Sequence, residues 1–275
     1  MLNTTTVTKL REMKLSMMAE AFQSQLKDSA FHGMSFEERF GLIVDQEWSA
    51  RKSNRLKDLI KKAGFDEPGA CIENIDYYPD RKLDREKIIG LSTCNYIREH
   101  QNILLLGATG CGKTYIACAL GIAAARNFFR VKYVRLQDLL TDLKIARAGN
   151  TFPKAMLQYK KPALLIIDEW MRYPLSEMES RDVLEIADAR YHKGSTILCS
   201  QFDVPGWVEQ VPNKLTADAI CDRFAHDSHK IIIEGDDSMR KRKSTIQYRS
   251  LRLTRLCPDP GFIALSFPKE SGVFP

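Results

Sequence analysis

Apolar positions recur at helical spacing in the first third of the chain and gather into short unbroken runs beyond it. Between residues 8 and 30, Leu10, Met13, Met17, Met18 and Ala21 fall on one stripe of a helix, with Thr8 placed to cap it. Core packing accounts for the methionines of that stripe. Ser35-Phe-Glu-Glu38 has the spacing of a capping box and opens a second helix, which runs to a stop at Gly64. Phe40, Ile43, Val44 and Trp48 share one of its faces, and Trp48 reads as a core or interface anchor. "DYYPDRKLDREKI", residues 76–88, breaks the helical period with Pro79 and dense charge and reads as a connector. After it the texture changes. "NILLLG" (102–107), "VKYVRL" (131–136), "PALLIIDE" (162–169), "STILCSQ" (195–201) and "HKIIIEG" (229–235) predict strands, with amphipathic helices such as Gln137–Arg147 and Arg181–His192 between them. Strands so evenly apolar belong to a parallel sheet covered on both faces. The expected organisation is therefore a small all-α N-terminal domain over residues 1–75 followed by an α/β domain.

Composition adds limits. With 44% hydrophobic and 28% charged residues in 275, the chain can bury a sizeable core. Its longest apolar stretch, Ile116 to Ala125, is too short and Ala-rich to span a bilayer. The N-terminal twenty residues carry scattered charges and no signal-peptide core, so a cytoplasmic protein with no membrane partner is expected. Cys71, Cys94, Cys111, Cys118, Cys199, Cys221 and Cys257 make an odd set without C-x-x-C spacing, which favours free thiols over disulfides or zinc. The net charge of +6 is unevenly spread. "RKSNRLKDLIKK" (51–62) has six basic residues against Asp58 alone, and Arg240, Lys241, Arg242, Lys243, Arg249, Arg252 and Arg255 follow Asp237 with no acid among them. Each run suits either a solvated surface or an electrostatic footprint for nucleic acid.

The most specific chemistry sits after the first predicted strand. Gly107-Ala108-Thr109-Gly110-Cys111-Gly112-Lys113-Thr114, continued by Tyr115, matches the spacing of a phosphate-cradling loop between a strand and a helix. Its glycines let backbone N–H groups converge, and the following helix adds the positive end of its dipole. Lys113 is placed for the β and γ phosphates and Thr114 for Mg²⁺. "LLIIDEW" (164–170) ends a buried strand on Asp168 and Glu169, where an acid faces the ligand crevice of an open α/β sheet. Asp168 suits the metal's outer shell, and Glu169 suits activation of a water in line with the γ-phosphate. That pair favours hydrolysis over transfer to a small-molecule acceptor. "NKLT" (213–216) lacks the aspartate of a guanine-reading motif, which favours ATP. Tyr77 and Tyr78 suit either surface packing or cover for an adenine ring.

"NILLLGATGCGKTYIACALG", "LLIIDEW", "ARYHKGSTILCSQFDVPGW" and "LTADAICDRFAHDSHKIIIEGDDSMRKRK" together resemble the IstB-like family of AAA+ ATPases, helpers encoded beside the transposase of bacterial insertion sequences and relatives of the DnaC helicase loader. The likeness runs from about Thr8 to Lys243. It implies an AAA+ P-loop ATPase domain over 76–243, with a five-stranded parallel sheet flanked by helices, and leaves 244–275 as a basic, partly disordered tail. It implies further that Arg223 is an arginine finger serving a neighbouring subunit and that Gln201 stands at the γ-phosphate sensor position. Arg240 falls near a second sensor, although "GDDSMR" has one residue more than the family's ending. ATP with Mg²⁺, duplex DNA, a transposase and further copies of the chain are the implied partners. Arg51, Lys52 and Arg55 are the expected DNA contacts. A helicase loader and a small-molecule phosphotransferase are the alternative functions.

Overall fold

The fold is given by a computed structural model, which describes residues 2–235 and 237–242. Lys243, Arg249, Arg252, Arg255, Cys257 and the tail expected over 244–275 lie outside the described residues. Residues up to Arg242 belong to one compact unit.

Three helices open the chain: α1 (Leu2–Glu12), α2 (Ser16–Lys27) and α3 (Phe36–Ala63). The single helix expected over 8–30 is thus two. Lys14 turns left-handed at φ 59°, and the N–H groups of Lys14 and Leu15 reach back to Arg11 and Leu10 carbonyls at 2.9 and 2.8 Å. That pairing closes a helix C-terminus as a Schellman motif, here without the usual glycine. Thr8 lies inside α1 and donates to the Thr4 carbonyl rather than capping. The restart of α2 is capped from a distance, since Leu15 offers no side-chain cap. Instead the Glu47 carboxylate on α3 accepts from the Met17 and Met18 N–H groups at 3.0 and 3.1 Å and from Arg51 at 2.6 Å.

The capping box of α3 forms as expected: Ser35 Oγ accepts from Glu38 N, and Glu38 Oε2 accepts from Ser35 N. The helix stops at Gly64, φ 72°. Its apolar face differs from expectation. Ile43 is buried, but Phe40, Val44 and Trp48 are exposed, Trp48 by 60%, so Trp48 is not a core residue. Val44 and Trp48 each follow Ile43 and Glu47 by one residue, roughly 100° further round the helix, and so turn away from the face that α2 covers through that pair. Further along, Leu56, Leu59, Ile60 and Ala63 pack into the sheet core.

The segment expected as a connector holds the start of α4 (Arg85–Ser92), capped by Asp84, which accepts from Lys87 N. After α5 (Asn95–Arg98) the chain alternates: β1 (Asn102–Gly107), α6 (Lys113–Arg126), β2 (Val131–Arg135), α7 (Leu136–Ala148), α8 (Phe152–Lys160), β3 (Leu164–Trp170), α9 (Glu177–Arg190), β4 (Ser195–Ser200), α10 (Val204–Val208), α11 (Lys214–Ala225), β5 (Ser228–Ile233) and α12 (Met239–Arg242). All neighbours pair in parallel, in the order β2-β3-β4-β1-β5. Successive strand residues serve opposite cores. Ile103, Leu105 and Ile166 face α6, while Leu104, Leu106, Leu165 and Ile167 face α7, α9 and α11. Burial on both sides is why the strands lack alternation. No helix among the described residues is long and apolar enough to cross a membrane.

The trans-cap yields a prediction. Arg51 and the Met17 and Met18 N–H groups hold the Glu47 carboxyl below its usual range, so its stabilisation is fully present above the unfolded value of about 4.3 and is lost as pH falls through the lower folded value. Glu47→Ala should cost about 1–3 kcal/mol at pH 7 in urea unfolding. The difference from wild type should shrink in acid.

Candidate functional site

The loop after β1 is shaped by its glycines. At Gly107 a Cβ would collide with the Ile233 carbonyl oxygen on β5, and its φ is 154°. At Gly112 φ is 93°, left-handed, immediately before α6 begins at Lys113. Only glycine takes both positions without strain. Ala108 and Thr109 are exposed, Gly110 is half-buried and Cys111 is buried. The Lys113 ammonium folds over the loop and donates to the Gly107 and Ala108 carbonyls at 2.8 and 2.9 Å. Tyr115 points elsewhere, its hydroxyl accepting from Cys71 N. A left-handed loop leading into the N-terminus of a 14-residue helix fits a phosphate group.

Across the crevice stands the acid pair. Asp168 is buried; its Oδ2 accepts from Thr114 Oγ1 at 2.6 Å and Tyr133 Oη at 2.9 Å, and its Oδ1 from Glu169 N at 2.8 Å. Burial, then the nearby Asp168 charge, pushes the Tyr133 phenol far up, so it stays a donor. Glu169 has φ 53°, and the pairing of β3 with β4 slips between Ile167 and Trp170. Such an irregularity re-aims a side chain: Glu169 leaves the sheet and pairs with Arg172 at 2.8 Å, while Trp170 stays buried against Trp207 and Phe224. The hydroxyl of Thr114 and the carboxylate of Asp168 are hard oxygen donors of the kind that Mg²⁺ takes.

The other expected site residues fall at three places. Gln201 is exposed just past β4, the strand between β1 and β3. Arg240 is exposed on α12, whose first residue, Met239, donates its N–H to the Gly110 carbonyl at 2.8 Å. Arg223 lies at the opposite end of the sheet: Asn102, the first residue of β1, donates to its carbonyl. Its guanidinium is paired with Asp188 and also donates to the Ala219 carbonyl. The structure thus gathers the loop, Asp168, Glu169, Gln201 and the α12 segment, and leaves Arg223 apart. On α3, Arg51 is engaged by Glu47 and the Lys14 carbonyl. Lys52 sits over the Trp48 ring and Arg55 over Phe128, both still exposed.

Sequence reasoning missed Tyr133 and Arg172. Tyr133 looks like any aromatic strand residue until the register sets β2 beside β3. Arg172 had one available signal, its i+3 spacing from Glu169.

A parallel β2-β3-β4-β1-β5 sheet with a phosphate loop after β1 and an acid pair ending β3 defines an AAA+ P-loop ATPase fold. Residues 8–246 match the family model of IstB-like ATP binding proteins, and the chain belongs to that family. It is 35% identical over 238 residues to an insertion sequence ATP-binding protein of Sinorhizobium fredii, covering 86% of this chain and 97% of that one. It is 39% identical over 196 residues to the ATP-binding protein of insertion sequence IS1162 from Pseudomonas fluorescens, covering 71% and 85%. In fold it resembles AMPPCP-bound DnaA from Aquifex aeolicus (TM-score 0.52, 23% identity, 63% of this chain and 52% of that one). The DnaC helicase loader is similar as well (TM-score 0.50, 16% identity, 60% and 97%).

One prediction concerns the loop itself. Gly107→Ala must move either the loop or β5, and should lower unfolding free energy by about 1–3 kcal/mol in a denaturant titration.

Proposed function

We propose that this protein is an ATP-dependent, DNA-binding regulator of transposition, in which ATP binding and hydrolysis control the assembly of its copies on duplex DNA beside a transposase. One observation carries the reading: the loop with Lys113 and the Asp168–Glu169 pair converge across a single strand, with Thr114 on Asp168 at 2.6 Å, in a chain whose relatives are named insertion sequence ATP-binding proteins.

The roles follow from the positions. The loop N–H groups and the start of α6 bind the phosphates, and Lys113 turns from the carbonyls it now holds to the β and γ groups. Thr114 and Asp168 would hold Mg²⁺, which when bound would offset phosphate charge. Glu169, released from Arg172, takes a proton from the attacking water. Gln201 orients the γ-phosphate end. Arg223 cannot serve its own site. It stands at the foot of β1, roughly 17 Å of strand from the loop, beyond the reach of one side chain. Its finger role therefore requires a neighbouring copy, with the transition-state charge as its target.

The decisive test mixes two variants. Glu169→Gln should bind ATP with near-wild-type affinity and hydrolyse it at least about a hundredfold more slowly. Arg223→Ala should be similarly slow. Combined, the two should recover part of the activity, because one mixed interface joins an intact base to an intact finger. Absence of recovery at every ratio, with co-assembly verified by sedimentation, overturns the shared site.

DNA binding is tested separately. Phosphate contacts make affinity fall with salt through counterion release. Filter binding should show that dependence, little sequence preference, and tighter binding with ATP than with ADP because assembled copies add contacts. Lys52→Ala with Arg55→Ala should flatten the salt slope by up to about two units, leaving the Arg51–Glu47 cap untouched. Equal binding with both nucleotides, or indifference to salt, overturns this part of the reading.

A further inference from the structure

The segment between α3 and α4 contains a buried cation that the roles above do not use. Arg81 is 3% exposed. One terminal nitrogen of its guanidinium donates to the Asp76 carbonyl and the other to the Cys111 carbonyl, the latter at 2.8 Å. Among the described residues its Nε has no hydrogen-bond partner. The group packs directly against the end of the phosphate loop: a Cβ built on Gly112 would lie 3.0 Å from its nitrogen.

We propose that Arg81 is a positioning residue of the phosphate loop, a buried guanidinium that holds the Cys111–Gly112 turn in its phosphate-receiving shape and adds positive potential behind it; this rests on the ATP-binding reading above.

Three observations support the assignment. Among the described residues the hydrogen-bond partners of the guanidinium are carbonyl oxygens, which satisfy N–H groups without carrying a countercharge. The Asp76 and Asp80 charges favour the cation from nearby and Arg242 opposes it, and a charge in a poorly solvated place acts more strongly on its surroundings than an exposed one. Burial disfavours the charged form and pulls its pKa down, so an arriving polyanion lowers the cost of keeping that charge buried. Arg81 is also held from its other side. Its carbonyl accepts from Glu234 N at 3.2 Å, Lys82 pairs with Glu234 at 2.6 Å, and Asp80 pairs with Arg242. The same post-β5 segment donates through Met239 N to the Gly110 carbonyl. Loop, connector and post-β5 segment are thereby joined in a closed ring of contacts with Arg81 inside it.

The test measures ATP and ADP affinity by calorimetry for wild type, Arg81→Lys, Arg81→Met and Lys113→Ala, with thermal melts in the absence of nucleotide. Losing a hydrogen bond made by a charged group corresponds to roughly a ten- to hundredfold loss of affinity. Arg81→Met should lose that much for ATP and ADP alike, since both share the loop-bound phosphate. Arg81→Lys, which keeps the charge but cannot bridge two carbonyls, should fall between. In steady-state hydrolysis the loss should appear in KM, with kcat within a few-fold, because the acid pair is untouched. Wild-type affinity in folded Arg81→Lys, or a loss that vanishes once corrected for the folded fraction, overturns the assignment. Should Arg81→Met fail to fold, Arg81→Lys decides alone. A wild-type protein that binds no ATP, or a Lys113→Ala variant that binds it normally, would instead sink the ATP-binding reading.

Discussion

A single strand, β4, separates the phosphate loop from the acid pair, and the Thr114–Asp168 hydrogen bond closes that gap at 2.6 Å. Much of the site follows from it. In a parallel sheet every strand delivers its C-terminal end to the same edge, so Gly107, Asp168 and Gln201 arrive side by side although the first two are 61 positions apart in the chain. The spacing is held because β3 cannot slip. Trp170 is buried in one core while Ile166 is buried in the other, and a one-residue shift would exchange them. The irregularity at Glu169 takes up the one extra residue and turns its carboxylate outward, leaving Asp168 fixed among three donors.

The helical segment reaches this edge along the helix that follows the phosphate loop. Phe65, just past α3, packs its ring on Gly121, where a Cβ would have no room. Cys71 N meets the Tyr115 hydroxyl, and Arg81 meets the Cys111 carbonyl. Residues 65 to 81 therefore run antiparallel to α6, from its middle down to its N-terminus. Beside them Asp66 pairs with Arg135, the last residue of β2 and the register partner of Asp168. Anything that grips the basic stretch of α3 acts on an element whose C-terminal half is packed into the same core as the loop helix.

The sheet and the phosphate loop were legible because their signals are local. Five apolar runs matched five strands to within about two residues, and the Ser35 capping box needs only four consecutive residues. What escaped notice is non-local. Lys14 terminates α1 in a conformation usually given to glycine, so nothing at that position announces a break. The cap of α2 comes from Glu47, thirty residues away. Tyr133 joins Asp168 only through strand register. Arg81 sits in a segment whose charge and proline read as a connector, and its burial depends on the loop it packs against. Phe40, Val44 and Trp48 misled in the opposite direction, because spacing tells which residues share a helix face but not which face finds a partner.

Two arginines in the family-like strings show how similar motifs carry different physics. Arg190, in "RYHKGSTI", is 2% exposed and donates to Thr196 Oγ1 and to the carbonyls of Tyr159, Pro162 and Ser195. Burial pushes its pKa down to about 9, still cationic at neutral pH, and its task is to tie the starts of β3 and β4 together. Arg223 is attached far more loosely. Its pair with Asp188 joins side chains 29% and 50% exposed, the kind of contact that contributes about 0–1 kcal/mol. Exchanging Asp188 for a phosphate on a neighbouring copy would thus cost little, whereas moving Arg190 would leave several buried carbonyls unpaired. The arginine that we propose moves between partners is the one that the fold holds weakly.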